Sequence, residues 1–337
     1  MTAGYDPFAA GPAAVGVRTV EARDKVRGRD FPCEIWYPAE LSGGTHHGEV
    51  RDATVHGGPH PLVIFSHHSF GHRRKATFLA IHLASHGYVV AASDHSEIIA
   101  PELAGRSGET SAQRADRITA IVGSRVPDVR FLLDHLLAGT TGIELDQDRV
   151  ALAGHSFGGW TVLAVPEVEP RVRAVVALAP GGGNTPKPAI LPLTLAFGWN
   201  REVPALYLAA EDDTPIPLDC VRELFARAPA PKRMFVLRRA DHQHFVDDVE
   251  GQHEALRATP MPGEAAWISA AMRPISELCS GQQAHQFSRG LALAHLDAAL
   301  RGRDAARRFL GGDVPAALAA RGVDAFAVDA SLGLAGR

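Results

Sequence analysis

Residues 150–160 read V-A-L-A-G-H-S-F-G-G-W and place one serine, Ser156, inside the pattern G-x-S-x-G. The apolar residues before Gly154 are typical of a buried strand, and a helix is predicted from Trp160 onward. A strand that turns directly into a helix strains its central residue, and flanking glycines remove the Cβ atoms that would collide there. The stretch predicts a turn that presents the Ser156 hydroxyl at the end of a sheet, beside a helix N-terminus that favours developing negative charge. The alternative is a turn that only needs small residues.

The chain on both sides of this turn alternates short apolar runs with stretches of helical periodicity. Strands are predicted at residues 15–21, 31–37, 62–66, 88–92, 149–153, 172–179, 204–209 and 233–237, and helices at residues 77–86, 115–137 and 291–310. Continuous apolar runs indicate strands buried on both faces, and their alternation with helices indicates a mostly parallel sheet covered on both sides. The sequence therefore predicts an α/β fold with about eight strands, mixed at one edge.

Composition excludes several classes of protein. A net charge of −4 over 337 residues gives no electrostatic reason to expect a nucleic-acid partner or an anionic membrane surface. No apolar run approaches the roughly 18 residues of a membrane span, and the N-terminus lacks the pattern of a secretion signal. Cys33, Cys220 and Cys279 are too few and too far apart for a disulfide framework. We therefore expect a soluble, cytoplasmic protein.

The length fits one α/β domain, because such folds often use 250 residues or more as one unit. Residues 1–14, rich in Gly, Pro and Ala, are expected to be an irregular N-terminal segment, and residues 15–337 to form the domain. Residues 246–284 make a connection longer than the roughly 12–15 residues that ordinary loops reach. We predict that they form a small helical cap or wall at the site, with residues 191–199 opposite; the alternative is a peripheral helix pair.

Five stretches resemble the α/β-hydrolase superfamily, and within it the serine esterases related to platelet-activating-factor acetylhydrolase and the predicted dienelactone hydrolases. They are F-P-C-E-I-W-Y-P-A (31–39), P-L-V-I-F-S-H (61–67), L-A-S-H-G-Y-V-V-A-A-S-D-H (83–95), A-G-H-S-F-G-G (153–159) and V-P-A-L-Y-L-A-A-E-D-D (203–213). The resemblance runs from about residue 15 to 310 and implies the α/β-hydrolase fold with Ser156 as nucleophile. Dienelactone hydrolases use a cysteine at this position, which disfavours a lactone of that kind as substrate.

A serine hydroxyl is a weak nucleophile and needs a base that is oriented by a third group. The superfamily order is serine, acid, histidine, and its usual G-x-x-D, with a proline four residues later, matches Asp213 and Pro217. Asp213 is therefore the predicted acid, with Asp212 as the alternative. The non-catalytic alternative is that these acidic residues form a solvated loop. The acetylhydrolases carry the acid after the preceding strand, which ends here in A-L-A-P-G-G-G without a carboxylate.

The predicted base follows the last strand, where K-R-M-F-V-L-R-R leads into A-D-H-Q-H-F. His242 stands where the superfamily places its base, and His244 is the alternative. Because the chain has 17 histidines, the prediction of the base rests on position after the strand and not on residue type.

Acyl transfer passes through a tetrahedral oxyanion that backbone N–H groups stabilise. The resemblance implies one donor at Phe157 and a second at Ser69, in the stretch S-H-H-S-F-G (66–71). Relatives usually have glycine where this chain has His68, and histidine tolerates a left-handed backbone better than most residues. The alternative for His67 and His68 is a pair of satisfied loop side chains. The spacing H-H-x-x-x-H, ending at His72, fits no standard zinc site, so no metal is predicted.

Together these residues predict a cofactor-free serine carboxylesterase that acts on a small or soluble ester, including esters with short acyl chains. The same fold also hosts thioesterases, lyases and cofactor-free perhydrolases, which remain alternatives. A catalytically silent binding protein is the alternative from a different class. The sequence indicates no acyl or alcohol preference and no oligomeric state.

Overall fold

The computed structural model describes residues 4–40, 48–184, 191–260 and 265–329. Within them one sheet has eleven strands: β1 (Ala14–Asp24), β2 (Arg29–Glu40), β3 (Glu49–Arg51), β4 (Thr54–Val55), β5 (His60–Ser66), β6 (Val89–Ser93), β7 (Leu145–His155), β8 (Val172–Leu178), β9 (Ala205–Ala210), β10 (Lys232–Leu237) and β11 (Ala325–Val328). The helices are α1 (Thr77–Ser85), α2 (Ser96–Ile99), α3 (Ser111–Leu137), α4 (Phe157–Ala164), α5 (Leu218–Arg227), α6 (Val249–Ala258), α7 (Trp267–Ala271), α8 (Gly281–Leu300), α9 (Asp304–Gly311) and α10 (Val314–Ala319). None of these helices is long and apolar enough to cross a membrane.

The strands run in the order β11-β10-β9-β8-β7-β5-β6-β2-β1-β3, with β4 paired to β2. The six central strands, β6, β5, β7, β8, β9 and β10, pair parallel with one another. The pairs β1–β2, β2–β6 and β10–β11 are antiparallel, and the short β3 pairs parallel with β1. The predicted α/β class and mostly parallel sheet are confirmed. The sheet is mixed at both edges, because β11 pairs with β10 beyond the region where strands were predicted. With four half-exposed or exposed residues, β11 lacks the long apolar run that marks the central strands.

The predicted helix over residues 291–310 is two helices. Helix α8 begins earlier, where the side chain of Ser280 accepts a hydrogen bond from the Gln283 N–H in a capping box. It ends at Leu300, and Gly302 in the following turn has a φ of 62°. Because α9 starts two residues later, the apolar periodicity on both sides of the turn looks continuous in the sequence.

The sheet carries a hydrophobic core on each face. Helices α1 and α8 cover one face, while α3, α4 and α5 cover the other. All seven residues of β5 are buried, which explains the uninterrupted apolar run over residues 61–65. Residues 4–13 contain no helix or strand, but Phe8 in this segment is buried and packs edge-to-face on Phe309.

The carboxyl ends of the parallel strands meet at one edge of the sheet, where ligands bind in open α/β folds. Ser156 follows β7, Asp213 lies just after β9, and His242 lies just after β10. The loop that contains Ser69 follows β5, the strand next to β7. The topology therefore gathers four segments that are far apart in the sequence.

Candidate active site

Ser156 occupies a strained turn between β7 and α4. Its backbone has φ 60° and ψ −115°, and its N–H donates to the Leu178 carbonyl (2.9 Å). A Cβ at Gly158 would overlap the carbonyl of Ser66, and a Cβ at Gly154 would overlap the carbonyl of Gly158. Both glycines are therefore required by close backbone approach, as the sequence pattern predicts.

Three of the predicted side chains form one hydrogen-bonded chain. His242 Nε2 lies 2.8 Å from Ser156 Oγ, and His242 Nδ1 lies 2.8 Å from Asp213 Oδ2. The other oxygen of Asp213 accepts the N–H of Ile216 at 2.8 Å. His242 and Asp213 are buried while Ser156 is partly exposed, so the hydroxyl is the member of the chain that an incoming molecule meets first.

The surroundings of His242 favour its charged form. Burial by itself lowers the pKa of His242, but the charge and hydrogen bond of Asp213, together with the charge of Asp241, outweigh it and raise the pKa above 6.5. Burial raises the pKa of Asp213, an effect that the neighbouring His242 partly offsets. An imidazole that accepts a proton here is stabilised by a carboxylate that water scarcely reaches.

The alternative acid and base lie elsewhere. Asp212 turns toward Arg273, whose Nη1 donates to Asp212 Oδ2 at 3.1 Å. His244 is buried with both ring nitrogens occupied: Nδ1 accepts the Asp241 N–H and Nε2 donates to the Cys279 carbonyl, each at 3.0 Å. Burial lowers the pKa of His244. Neither side chain joins the chain that contains Ser156.

Asp241 connects the loop of the acid to the loop of the base. Its Oδ1 accepts the N–H of His242 (2.6 Å) and the N–H of Thr214 (2.7 Å), and its Oδ2 accepts the Thr214 hydroxyl at 2.9 Å. The side chain is buried. Sequence reasoning did not single out Asp241; its place directly before His242 is the only signal, and the partner Thr214 is 27 residues away.

The loop after β5 makes a tight turn in which the Gly71 N–H donates to the His68 carbonyl (3.0 Å). The left-handed residue of this turn is Phe70, with φ 57°, and not His68, which stands at the usual glycine position of the relatives. This turn requires a positive φ at its third residue, a conformation that glycine or asparagine adopts more easily than phenylalanine does. Phe70 is 70% exposed, so its ring leaves the crowded interior of the loop.

His67 and His68 both bond to the backbone of their own loop. His67 Nδ1 donates to the His68 carbonyl (2.7 Å), and its Nε2 accepts the His95 N–H (3.2 Å). His68 Nδ1 donates to the Ser69 carbonyl at 2.8 Å. Burial lowers the pKa of His68 to about 4, so its ring is neutral at pH 7. Across the described ranges, no cluster of His, Cys, Asp and Glu side chains could hold a metal ion.

A mostly apolar cavity of about 140 Å³ opens beside the nucleophile. It is lined by Ser69, Ser156, Phe157, Gly181, Gly182, Gly183, Leu191, Pro192, Leu193, Pro215, Ile216 and Cys220. The two predicted oxyanion donors, Ser69 and Phe157, thus share one cavity with Ser156. The predicted opposite wall, residues 191–199, contributes Leu191 and Leu193; the preceding residues 185–190 lie outside the described part of the chain.

The predicted cap, residues 246–284, contains α6, α7 and the start of α8, with residues 261–264 outside the described ranges. Trp267 and Asp213 both line a surface cleft that does not include Ser156. Ile268 is fully buried and belongs to the interior. Whether this segment limits the size of a substrate stays a prediction.

The strained serine turn on a mostly parallel sheet defines an α/β-hydrolase, and the comparisons place the chain in the serine esterase group of that class. The chain belongs to the chlorophyllase family, whose profile matches residues 52–306. The sequence-based resemblance to serine esterases of this superfamily is confirmed.

Three known proteins illustrate the relationship. Platelet-activating factor acetylhydrolase of Cavia porcellus is 27% identical over 281 residues, covering 65% of this chain and 61% of that protein. Chlorophyllase type 0 of Chenopodium album is 23% identical over 162 residues, covering 45% of this chain and 44% of that protein. The solved structure of a ferulic acid esterase from Streptomyces cinnamoneus superposes with a TM-score of 0.65 at 25% identity, covering 89% of this chain and 94% of its own. The chain spans less than two thirds of the length of the curated relatives it matches.

Asp213→Asn should lower kcat by about 10⁴-fold, because the amide no longer holds His242 in the tautomer that accepts a proton from Ser156. Asp212→Asn is the matched control, since it changes the adjacent carboxylate, which contacts Arg273 instead. We expect this control to stay within about tenfold of the wild type, a barrier change of ~1.4 kcal/mol. Steady-state hydrolysis of a nitrophenyl ester measures both, and a reversed order of the two effects would move the acid to Asp212.

Proposed function

We propose that the protein is a cofactor-free serine hydrolase that cleaves carboxylic esters through an acyl-enzyme. The observation that carries this proposal is the hydrogen-bonded chain from Ser156 Oγ through His242 to Asp213, with both links at 2.8 Å. Its open end faces the cavity that also contains Ser69 and Phe157. A nucleophile, a base and an orienting acid in this order suit acyl transfer.

In this mechanism Ser156 Oγ attacks the ester carbonyl carbon while His242 Nε2 takes its proton. The carbonyl oxygen becomes an oxyanion that accepts hydrogen bonds from the backbone N–H groups of Phe157 and Ser69. The bond to the alcohol then breaks, and His242 returns the proton to the leaving oxygen. Water then attacks the acyl-enzyme while His242 takes its proton. The bond to Ser156 Oγ breaks, His242 returns the proton to Oγ, and the carboxylic acid is released.

The cavity supports a small apolar acyl group or a single ring as the part of the ester held beside Ser156. Its volume of about 140 Å³ is close to that of an apolar protein cavity of ~150 Å³ that accommodates benzene. The matched acetylhydrolase and ferulic acid esterase are both named for esters of small acids, which agrees with this size. We therefore propose acyl groups of up to about six carbons or one aromatic ring.

A series of nitrophenyl esters from acetate to decanoate tests this proposal. We expect a burst of nitrophenol equal to the enzyme concentration, and kcat/KM that falls once the acyl chain exceeds the cavity. Leu193→Ala should extend the accepted chain length, because Leu193 lines the cavity against Gly181. Val168→Ala is the control, since Val168 is a half-exposed residue outside the lining.

Two outcomes would contradict the proposal. Faster turnover of matched thioesters than of oxygen esters would favour a thioesterase. No turnover of any ester, with Ser156 also inert to phosphonates, would favour a catalytically silent protein.

A further inference from the structure

A buried cation supports the loop that carries Ser69. Arg125, on α3, is fully buried and forms an ion pair with Glu97. Its Nη1 donates to the carbonyl of His67 at 2.8 Å, and its Nη2 donates to the carbonyl of His68 at 3.4 Å. One guanidinium therefore ties together two consecutive carbonyls of the loop, across 57 residues of sequence.

The same guanidinium contacts the residue after the nucleophile. Its central carbon lies 4.0 Å from the ring centroid of Phe157, the distance of a close cation–π contact. Phe157 and Ser69 are the residues whose N–H groups are proposed to bind the oxyanion. Arg125 thus touches both sides of the proposed oxyanion hole while staying out of the cavity itself.

The contact with His68 acts directly on the donor at Ser69. The His68 carbonyl and the Ser69 N–H belong to one planar peptide unit, so fixing the carbonyl also fixes the direction of the N–H. A hydrogen bond to a carbonyl polarises its peptide and strengthens the N–H as a donor. A cation in a dry region also lowers the energy of negative charge that develops nearby.

Stability alone gives little reason for a buried ion pair here. Desolvating an arginine and a carboxylate is so costly that well-packed apolar residues often stabilise a protein as well or better. Arginine, unlike lysine, can bind several carbonyls with one rigid group. The geometry of Arg125 uses this property at the loop next to the nucleophile.

We propose that Arg125 is a positioning residue that orients and polarises the His68–Ser69 peptide for oxyanion binding, an inference that rests on the proposed esterase function. Arg125 does not touch the substrate. It acts through the backbone of the loop and through the ring of Phe157.

A second serine–histidine–aspartate chain completes the support. Ser66 Oγ lies 2.8 Å from His95 Nε2, and His95 Nδ1 lies 3.3 Å from Asp128 Oδ2. Arg125 Nη1 donates to Ser66 Oγ at 3.2 Å. Ser66, His95 and Asp128 are all buried, so no substrate reaches this serine. The chain holds the end of β5, from which the loop starts.

The test uses Arg125→Lys, Arg125→Gln and the double variant Glu97→Gln/Arg125→Gln, which leaves no unpaired buried carboxylate. Arg201→Gln is the matched control, because Arg201 also donates to backbone carbonyls, those of Pro166, Glu169 and Val172, in another part of the molecule. For each variant, kcat and KM are measured on nitrophenyl butyrate, normalised to sites titrated with a phosphonate. Ki is measured for a trifluoromethyl ketone, which forms a tetrahedral oxyanion adduct with a serine.

We expect both glutamine variants to lose about 10–100-fold in kcat with KM within about threefold, less than the 10²–10³-fold loss when a donor is removed outright. Ki for the ketone should rise by the same factor as kcat falls, and Arg125→Lys should recover part of both. Arg201→Gln should lower Tm without changing the ratio of Ki to KM.

The proposal is overturned if the double variant keeps kcat and Ki within threefold of the wild type. It is also overturned if kcat falls while Ki stays constant, because the oxyanion is then unaffected. Wild-type protein that neither hydrolyses esters nor binds the ketone would instead contradict the proposed function, and the role of Arg125 with it.

Discussion

Ser156→Ala should lower kcat for a nitrophenyl ester by about 10⁶-fold, the size of loss seen when the nucleophile of a triad enzyme is removed. The substitution deletes one partly exposed oxygen, whose hydrogen-bond partner is His242. Alanine meets the same backbone demand as serine at a φ of 60°. We therefore expect an unchanged Tm together with the loss of turnover.

Labelling with a fluorophosphonate tests independently whether Ser156 is the nucleophile. One adduct per chain is expected, on the peptide that contains Ser156, and none in Ser156→Ala. Ser66 provides an internal control, because it also lies 2.8 Å from a histidine nitrogen but is fully buried. An adduct on Ser66, or on any other serine, would contradict the assignment of the nucleophile.

His242→Ala should cost about as much as loss of the nucleophile, on the order of 10⁶-fold in kcat, because the members of a triad act as a unit. Reaction of Ser156 with phosphonate should slow as well, since it needs the same base. His244→Ala is the control and should retain at least a tenth of the activity, a loss of ~1.4 kcal/mol or less.

The control should instead reduce stability. Removing the His244 ring leaves the Asp241 N–H and the Cys279 carbonyl without their partner, at a cost of about 1–3 kcal/mol in the free energy of unfolding for each buried group. Thermal unfolding and kinetics together separate the two histidines. Full loss of turnover in a folded His244→Ala protein would move the base to that residue.

The pH profile follows from the same histidine. Only neutral imidazole accepts a proton, so kcat/KM rises with pH as His242 loses its charge. Because Asp213 and Asp241 raise the pKa of His242, the rise should be centred above the ordinary value of ~6.5. In Asp213→Asn the residual activity should rise at lower pH, since the main stabilising charge is gone. If the pH profile of kcat/KM is unchanged in Asp213→Asn, a group other than His242 controls the rise of activity with pH.

The sequence by itself determined the elements that depend on local pattern. Continuous apolar runs located the central strands because a strand buried on both faces has no polar side to interrupt it. The glycines around Ser156 marked the turn because the backbones there leave no room for a Cβ. The positions after β9 and β10 reduced the acid to Asp213 or Asp212 and the base to His242 or His244, since parallel strands end at one edge of the sheet. The register of the superfamily favoured Asp213 and His242.

The tertiary structure alone decided what depends on contacts between distant segments. It directed His242 to Ser156 and His244 to the Cys279 carbonyl, although both histidines lie in one short turn. It also placed Arg125 beneath the loop of His68, where neither residue has a local sequence signal for the other. Packing between distant segments sets the direction of a side chain in a turn and the partner of a buried charge. The periodicity of apolar residues along the chain predicts neither.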